Sequence, residues 1–354
     1  MHYAGTLPNQ KKILWSGTGG KNCREIFSEG RKKDFFMGAG GMEKKKIVVL
    51  AGGWSGEREV SLGSGRTVYD ALDKERYEVE LYDPKEHLGT LLEKRETIDL
   101  VFILLHGKMG EDGRIQGFLD LLGIPYVGSG VLSSSMALSK KISKHLYQAV
   151  GLKVPRYYIR RRGEEIQGRA YLESFGGKVV VKPIAEGSSL GISICDSEES
   201  LIEGVKEAFL YDNEIMLEEY IGGREITCCV TGNRELETLP LIEIVPTAAY
   251  NFFDYEAKYT SGATNEICPA DLDEPIADGL RDCAKIAHHA LQCKAWSRTD
   301  MIVSGEDIFM LETNTIPGMT ENSLFPRAAR AAGLPMPALL DRLIELSLSS
   351  TDPG

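Results

Sequence analysis

Short, unbroken apolar runs punctuate this chain and alternate with stretches whose apolar residues recur at helical spacing. Ile47-Val48-Val49-Leu50-Ala51 is a run of the buried-strand kind that ends in Gly52-Gly53, and a helix is predicted from about Val60. Val79–Tyr82 and Leu100–Leu105 read as further strands, and Leu88–Lys94 and Ile115–Leu122 as helices. Such alternation predicts a parallel sheet, with ligand loops beyond the carboxyl ends of its strands. The loops Gly52–Glu59 and His106–Gly113 occupy those ends. After Leu138 the pattern changes to a Lys-rich helix over 139–149, a strand at Val179–Val181, a glycine loop at 187–191 and a strand at Ile192–Ile194. Residues 200–210 read as a helix, 215–221 and 225–231 as extended, and 276–292 as a helix. No internal repeat is evident.

Two short strands then close around the turn Ser304-Gly305-Glu306-Asp307. Side chains alternate along a strand, so Arg298 shares one face with Asp300, and Glu312 shares one with Asn314. A register pairing 300 with 312 and 298 with 314 brings all four groups together, whereas a one-residue slip separates them. Two carboxylates and an amide oxygen are hard ligands suited to Mg²⁺, which borrows its other ligands from phosphates and water. The adjacent guanidinium suits an anion. The plainer reading is a polar strand face with solvated charges.

Composition narrows the classes. The 354 residues suffice for two or three domains, and 42% hydrophobic with 26% charged residues is ordinary for a globular protein. A net charge of −11 argues against general binding to nucleic acid or an anionic membrane. Seven cysteines without a Cys-x-x-Cys pair fit reduced thiols in a cytoplasmic protein. No apolar run approaches membrane-spanning length. In residues 1–44 basic side chains outnumber acidic ones, and neither a periodic apolar face nor the apolar core of a signal peptide is present. Met42 precedes the first strand, so residues 1–41 are expected to be a poorly ordered, functionally silent extension.

Lys182 closes the apolar strand Val179–Val181, and Glu186-Gly-Ser-Ser-Leu-Gly191 follows. Glycine and serine let backbone N–H groups approach phosphate, and the lysine adds a point charge. The loop lacks the Walker spacing, and Gly52-Gly-Trp-Ser-Gly56 lacks that of a dinucleotide fingerprint.

Five motifs, taken in order, resemble the D-alanine–D-alanine ligase family over about residues 46–347. They are Gly52-Gly-Trp-Ser-Gly-Glu57-Arg-Glu-Val-Ser61, Leu105-His106-Gly107 with Gly110-Glu-Asp-Gly113, Glu186-Gly-Ser188-Ser, Tyr255-Glu-Ala-Lys258-Tyr259 and Glu312-Thr-Asn314-Thr-Ile-Pro-Gly318-Met-Thr. The resemblance implies an α/β, parallel-sheet pre-ATP-grasp domain at 45–138, then an α+β two-lobed ATP-grasp fold with lobes at 139–221 and 222–348. It implies ligation of two D-alanines with ATP for peptidoglycan synthesis, through an acyl phosphate, by a homodimer with no nucleic-acid or membrane partner. Asp300, Glu312 and Asn314 would hold two Mg²⁺ ions, with Mn²⁺ as a substitute. Lys140, Lys182 and Lys258 would bind the nucleotide, Glu218 the adenine edge and Glu225 the ribose. Glu57 would take the ammonium of the first D-alanine, and Ser188 and Tyr259 would join it to tie down a lid. Arg298 and the Gly318 N–H would face the oxyanion, His106 would stand beside the reacting centre, and Ser323 and Leu324 would contact the second substrate's carboxylate.

Plainer readings compete. Glu57 also suits a helix N-terminus, His106 a turn cap, and Lys140, beside Lys141 and Lys144, a solvated helix face. Glu111 and Asp112 read as residues that shape a loop. Three positions depart from the family pattern: Ser139 where an acid is expected, Glu219 in place of a lysine, and Thr299 in place of an aliphatic residue. A D-alanine–D-lactate ligase and a non-catalytic nucleotide-binding relative are the alternatives. Lys258-Tyr259 looks like the dipeptide-forming type, and the complete set of polar groups argues against lost catalysis.

Overall fold

The computed structural model describes residues 44–187, 190–246 and 264–349. Ser188, Lys258, Tyr259 and the whole of the expected N-terminal extension, residues 1–41, lie outside the described residues.

The first sheet comprises β1 (Lys45–Leu50), β2 (Tyr77–Tyr82) and β3 (Leu100–Ile103), parallel in the order β2-β1-β3. The crossovers are helices α1 (Arg58–Ala71) and α2 (Pro84–Lys94), followed by α3 (Arg114–Leu122) and α4 (Val131–Leu138). All four residues of β3 and the last four of β1 are buried. That explains their unbroken apolar runs, since a parallel strand is covered on both faces. Helix α5 (Lys140–Ala149) leads into the second sheet.

The second sheet is antiparallel, built from β4 (Tyr157–Arg161), β5 (Val179–Pro183), β6 (Ser193–Cys195) and β7 (Glu214–Glu219) in the order β4-β7-β5-β6. Helices α6 (Gly168–Ser174) and α7 (Glu198–Tyr211) accompany it. Val179, Val181, Ile215 and Leu217 share a buried cluster with Leu201, Val205 and Ala208 of α7. The third sheet contains β8 (Arg224–Gly232), β9 (Leu236–Thr238), β10 (Ile242–Pro246), β11 (Thr264–Ile267), β12 (Ala295–Ser304) and β13 (Asp307–Asn314). Its order is β11-β10-β8-β12-β13, with β9 paired to β8. Helix α8 (Glu274–Ala290) packs its apolar stripe, Ala277, Leu280, Ala284 and Ala287, against this sheet. Helices α9 (Leu324–Ala331) and α10 (Met336–Ser349) end the described chain.

The expected class, a parallel sheet followed by two α+β layers, matches these elements. Strand β6 lies one residue later than expected, and β3 stops two residues earlier. Elements β4 and α6 had no counterpart in the sequence pattern: β4 buries no residue completely, and α6 has 7 residues, too few to display a period. Trp296 of β12 meets Phe102 of β3 edge-on at 6.1 Å and Phe325 of α9 at 5.2 Å. The first and third sheets therefore share one apolar core, and the site lies along their common border.

Candidate active site

The hairpin β12–β13 pairs Arg298 with Asn314 and Asp300 with Glu312, as the sequence reading assumed. It does so through an irregularity. The tight turn pairs Ser304 with Asp307 and Met301 with Met310, after which the register shifts, leaving Leu311 as the extra residue. A regular strand would turn Glu312 toward the same side as Met310, which is fully buried in the core. The bulge reverses that parity and delivers Glu312 and Asn314 to the open face.

Arg298 grips Asp300 with both arms, Nε to Oδ1 at 3.0 Å and Nη2 to Oδ2 at 2.8 Å. Thr227 Oγ1 donates to the same carboxylate. Burial disfavours the guanidinium charge, but the Asp300 carboxylate more than offsets this and holds Arg298 charged. Lys140 Nζ lies 3.4 Å from Glu312 Oε2 and donates to the Glu186 carbonyl at 2.6 Å. The side chain of Asn314 is oriented by its neighbours. A guanidinium can only donate, so the amide oxygen faces Arg298 Nη2 at 3.1 Å and its nitrogen donates to Glu111 Oε1 at 2.5 Å.

Glu111 is buried, and its other oxygen accepts from the Gly107 N–H at 2.7 Å. Burial, with the Glu57 carboxylate nearby, pushes its carboxyl up to about 8. Glu57 is buried at the N-cap position of α1, at the positive end of that helix, and its side chain makes no capping hydrogen bond there. His106 is buried also. Burial, then the charge of Arg298, lowers it to about 4, leaving a neutral imidazole. Its Nε2 lies 3.3 Å from Ser64 Oγ, which accepts from the Met319 N–H at 3.2 Å. This relay links the loop after β3 to the Gly318 turn. A side chain at Gly318 would come within 2.9 Å of Ser323 Oγ, which itself accepts from the Thr320 N–H at 3.1 Å. Glu57, His106, Glu111, Lys140, Arg298, Glu312, Asn314, Gly318, Ser323 and Leu324 all line one cavity of about 420 Å³.

A second polar cluster lies beneath it. Glu218, on β7, is almost wholly buried between Lys144 Nζ, 2.6 Å from Oε1, and Lys182 Nζ, which contacts Oε2. Burial raises the Glu218 carboxyl, but the two ammonium groups outweigh it and hold it below its ordinary range. Lys140 and Lys144 are both buried, which overturns the solvated-face reading of α5 for these two lysines. The place of Lys144 beside Glu218 was not anticipated from the sequence. Its signal was spacing: it follows Lys140 by four positions and so shares its helix face. Glu225, the second residue of β8, lies opposite Ile302, and its charge favours the ammonium of Lys182.

The three departures acquire local explanations. Ser139 caps α5 by accepting from the Ile142 N–H at 3.4 Å. Glu219 takes a fork from Arg156, at 2.9 and 2.8 Å. Thr299 meets Thr313 Oγ1 at 2.9 Å, and Tyr147 donates to the same oxygen at 2.8 Å.

Among the described residues no three His, Cys, Asp or Glu side chains form a metal-holding group by themselves. Asp300, Glu312 and the Asn314 oxygen nevertheless suit a hard cation, because the strand register brings two carboxylates and an amide oxygen together. The set is short of ligands, which fits an ion that shares phosphate oxygens.

Comparisons with known proteins agree. The model described as "D-ala D-ala ligase C-terminus" matches residues 146–345, and "D-ala D-ala ligase N-terminus" matches 83–129. A D-alanine–D-alanine ligase of Syntrophobacter fumaroxidans is 54% identical over 306 residues, 86% of this chain and 98% of the relative. The crystal structure of a Bacillus anthracis D-alanine–D-alanine ligase complexed with ATP matches with a TM-score of 0.74 and 34% identity, covering 86% of this chain and 97% of that one. The VanG D-Ala:D-Ser ligase of Enterococcus faecalis matches with a TM-score of 0.74 and 32% identity, covering 86% and 100%. The fold is thus a parallel-sheet domain followed by a two-lobed ATP-grasp fold. By sequence, by fold and by the order of its motifs, the chain belongs to the D-alanine–D-alanine ligase family.

Proposed function

We propose that this chain joins two D-alanines into D-alanyl-D-alanine, converting ATP to ADP and phosphate, as a supply of peptidoglycan precursor. A carboxylate acylates poorly, so its oxygen first takes the γ-phosphoryl group of ATP, giving D-alanyl phosphate and ADP. The amine of the second D-alanine then attacks the carbonyl carbon. The resulting tetrahedral oxyanion collapses, phosphate leaves with the former carboxylate oxygen, and the amine loses a proton.

The residues divide this work by position. Glu57 takes the ammonium of the first D-alanine, with the neutral His106 imidazole beside the reacting carbon. Arg298 and the Gly318 N–H face the oxyanion, and such a donor commonly contributes about 3–4 kcal/mol to the transition state. Ser323 and Leu324, at the start of α9, receive the second carboxylate. Lys140 and Lys182 take phosphate oxygens, Glu218 the adenine edge and Glu225 the ribose. Asp300, Glu312 and Asn314 would hold Mg²⁺, or Mn²⁺, which when bound offsets the charge of the transferring phosphoryl group. Lid roles for Ser188 and Tyr259, and a nucleotide contact from Lys258, rest on the family resemblance; a closed lid protects an acyl phosphate from water.

The observation that carries this reading is that Glu57 and the group Arg298, Glu312 and Asn314 line the same cavity. We place the enzyme in the cytoplasm as a homodimer. Its free cysteines suit a reducing compartment, and among the described residues no helix is long and apolar enough to cross a membrane.

Phosphate release from ATP and Mg²⁺, with products identified by mass, tests the assignment. D-alanine alone should stimulate release and yield the dipeptide, and L-alanine should do neither. A depsipeptide as the main product, with D-lactate present, would move the chain to the hydroxy-acid branch. ATP binding without D-alanine-stimulated release would refute ligation.

A further inference from the structure

Lys144 has no part in the chemistry above, yet it is the most completely buried ammonium group in the cluster. Its side chain is 0% exposed, against 12% for Lys182. It reaches from α5 to two other elements, lying 2.6 Å from Glu218 Oε1 on β7 and donating to the Met310 carbonyl on β13 at 3.2 Å. Held this way it has no path to a ligand in the cavity. Lys182 differs: it is the penultimate residue of β5, is partly open, and meets the other oxygen of the same carboxylate. One buried carboxylate therefore has one partner that is fixed and one that is able to leave.

We propose that Lys144 is a positioning residue for the nucleotide, the permanent counter-ion that keeps Glu218 charged and in place when Lys182 turns to a phosphate. The inference rests on the nucleotide reading of Lys182 and Glu218. Were Lys182 the only partner, its departure would strand a carboxylate in the interior, which is costly enough to hold the lysine back. With Lys144 in place the departure leaves an ion pair behind. The carboxylate also remains an acceptor. When Lys182 turns away it releases Oε2, while Lys144 stays at Oε1. An ionised carboxylate with a spare lone pair accepts from the amino group of adenine and repels the carbonyl oxygen that guanine presents at the same edge.

Calorimetric titration with ADP and with GDP, on the full chain and four variants, tests this. Lys144→Met should weaken ADP binding by about tenfold or more, because it leaves Glu218 to bind Lys182 alone. GDP binding should change less, so that the preference for adenine narrows. In steady state the KM for ATP should rise while kcat and the KM for D-alanine stay within about threefold, a split that general loosening of the fold would not produce. The loss should shrink when Glu218→Gln is already present, since no buried charge then needs a partner. Equal losses in both backgrounds would overturn the proposal, as would parallel rises in both KM values. If Lys144→Met does not fold but Lys144→Met/Glu218→Gln does, the pairing stands; failure of both would make Lys144 a structural residue independent of Glu218. Glu218→Gln and Lys182→Met alone report on the underlying reading. If neither weakens ADP binding, the cluster is not a nucleotide site, and the role of Lys144 falls with it. If both weaken it and Lys144→Met does not, only the counter-ion inference fails.

Discussion

The Glu57 carboxylate is held between two loops that carry no side chain where they pass it. A β-carbon added at Gly107 would lie 2.6 Å from Oε2, and one added at Gly187 would lie 2.7 Å from the same atom. Gly107 also has a φ of +72°, so a substitution there strains the backbone as well. Gly187 offers the cleaner test, because the contact falls on the movable end of a glutamate. Gly187→Ala is expected to fold normally and to push the carboxylate aside. The KM for the first D-alanine should rise by roughly 10- to 100-fold, the equivalent of one charge-assisted hydrogen bond, with little change in thermal midpoint. Steady-state kinetics at saturating ATP, alongside a melting curve, would check it; an unaltered KM would mean that Glu57 does not hold the ammonium. At this scale, legibility followed local pattern. Arg298, Asp300, Glu312 and Asn314 could be read because alternation ties each to a face. Glu111 was legible only as a loop-shaping residue: its bond to Gly107 is local, but Asn314 meets it only after the loop following β3 and strand β13 are brought together.

Elements supply the geometry that single residues cannot. The pairing of β12 with β13 was legible in outline, yet the turn by itself sets a register one residue away from the useful one. The bulge at Leu311 corrects it, and no residue there announces a bulge, since leucine suits a regular strand equally well. Helix α5 carries Lys140 and Lys144 on one face, and its start fixes where both ammonium groups reach. Ser139 sets that start with a 3.4 Å cap, a long bond that belongs near the weak end of the capping range. Ser139→Ala should therefore destabilise the protein by about 0.5–1 kcal/mol. Ser139→Asp should match or exceed the parent, since a carboxylate at a helix N-terminus faces the positive end of the dipole. Urea unfolding midpoints would decide. If Ser139→Ala equals the parent, α5 is positioned by packing alone, and the ion pairs of its two lysines take over as the reason for its register.

Two buried imidazoles, His106 and His288, sit where protonation is penalised, and that has a consequence for the behaviour of the whole molecule in acid. His288 is 0% exposed beneath β12, with Nδ1 2.8 Å from Ser297 Oγ and no partner for Nε2 among the described residues. Burial, with His289 alongside, lowers it to about 4; His106, buried at the border of the first and third sheets, is lowered to about 4 as well. An ordinary histidine in the unfolded chain titrates near 6.5. Between roughly pH 6.5 and 4 the unfolded chain therefore binds more protons than the folded one, and each histidine makes stability fall as the pH drops through that window. Glu111, raised to about 8, acts in the opposite sense, since the folded protein retains its proton between about pH 4.5 and 8. Because the two effects overlap, the parent's own pH profile cannot isolate either. A difference between two chains can, since Glu111 is common to both. His288→Asn keeps an acceptor or donor near Ser297 and removes the titration. The variant should be less stable than the parent near pH 7.5, where it only loses packing. Its deficit should shrink by about 2 kcal/mol by pH 5, as the parent alone incurs the cost of keeping a neutral imidazole. Urea unfolding at the two pH values gives that difference directly. A deficit that stays constant would mean that His288 takes up its proton equally in the folded and unfolded chains, and that the core beneath β12 admits a charge.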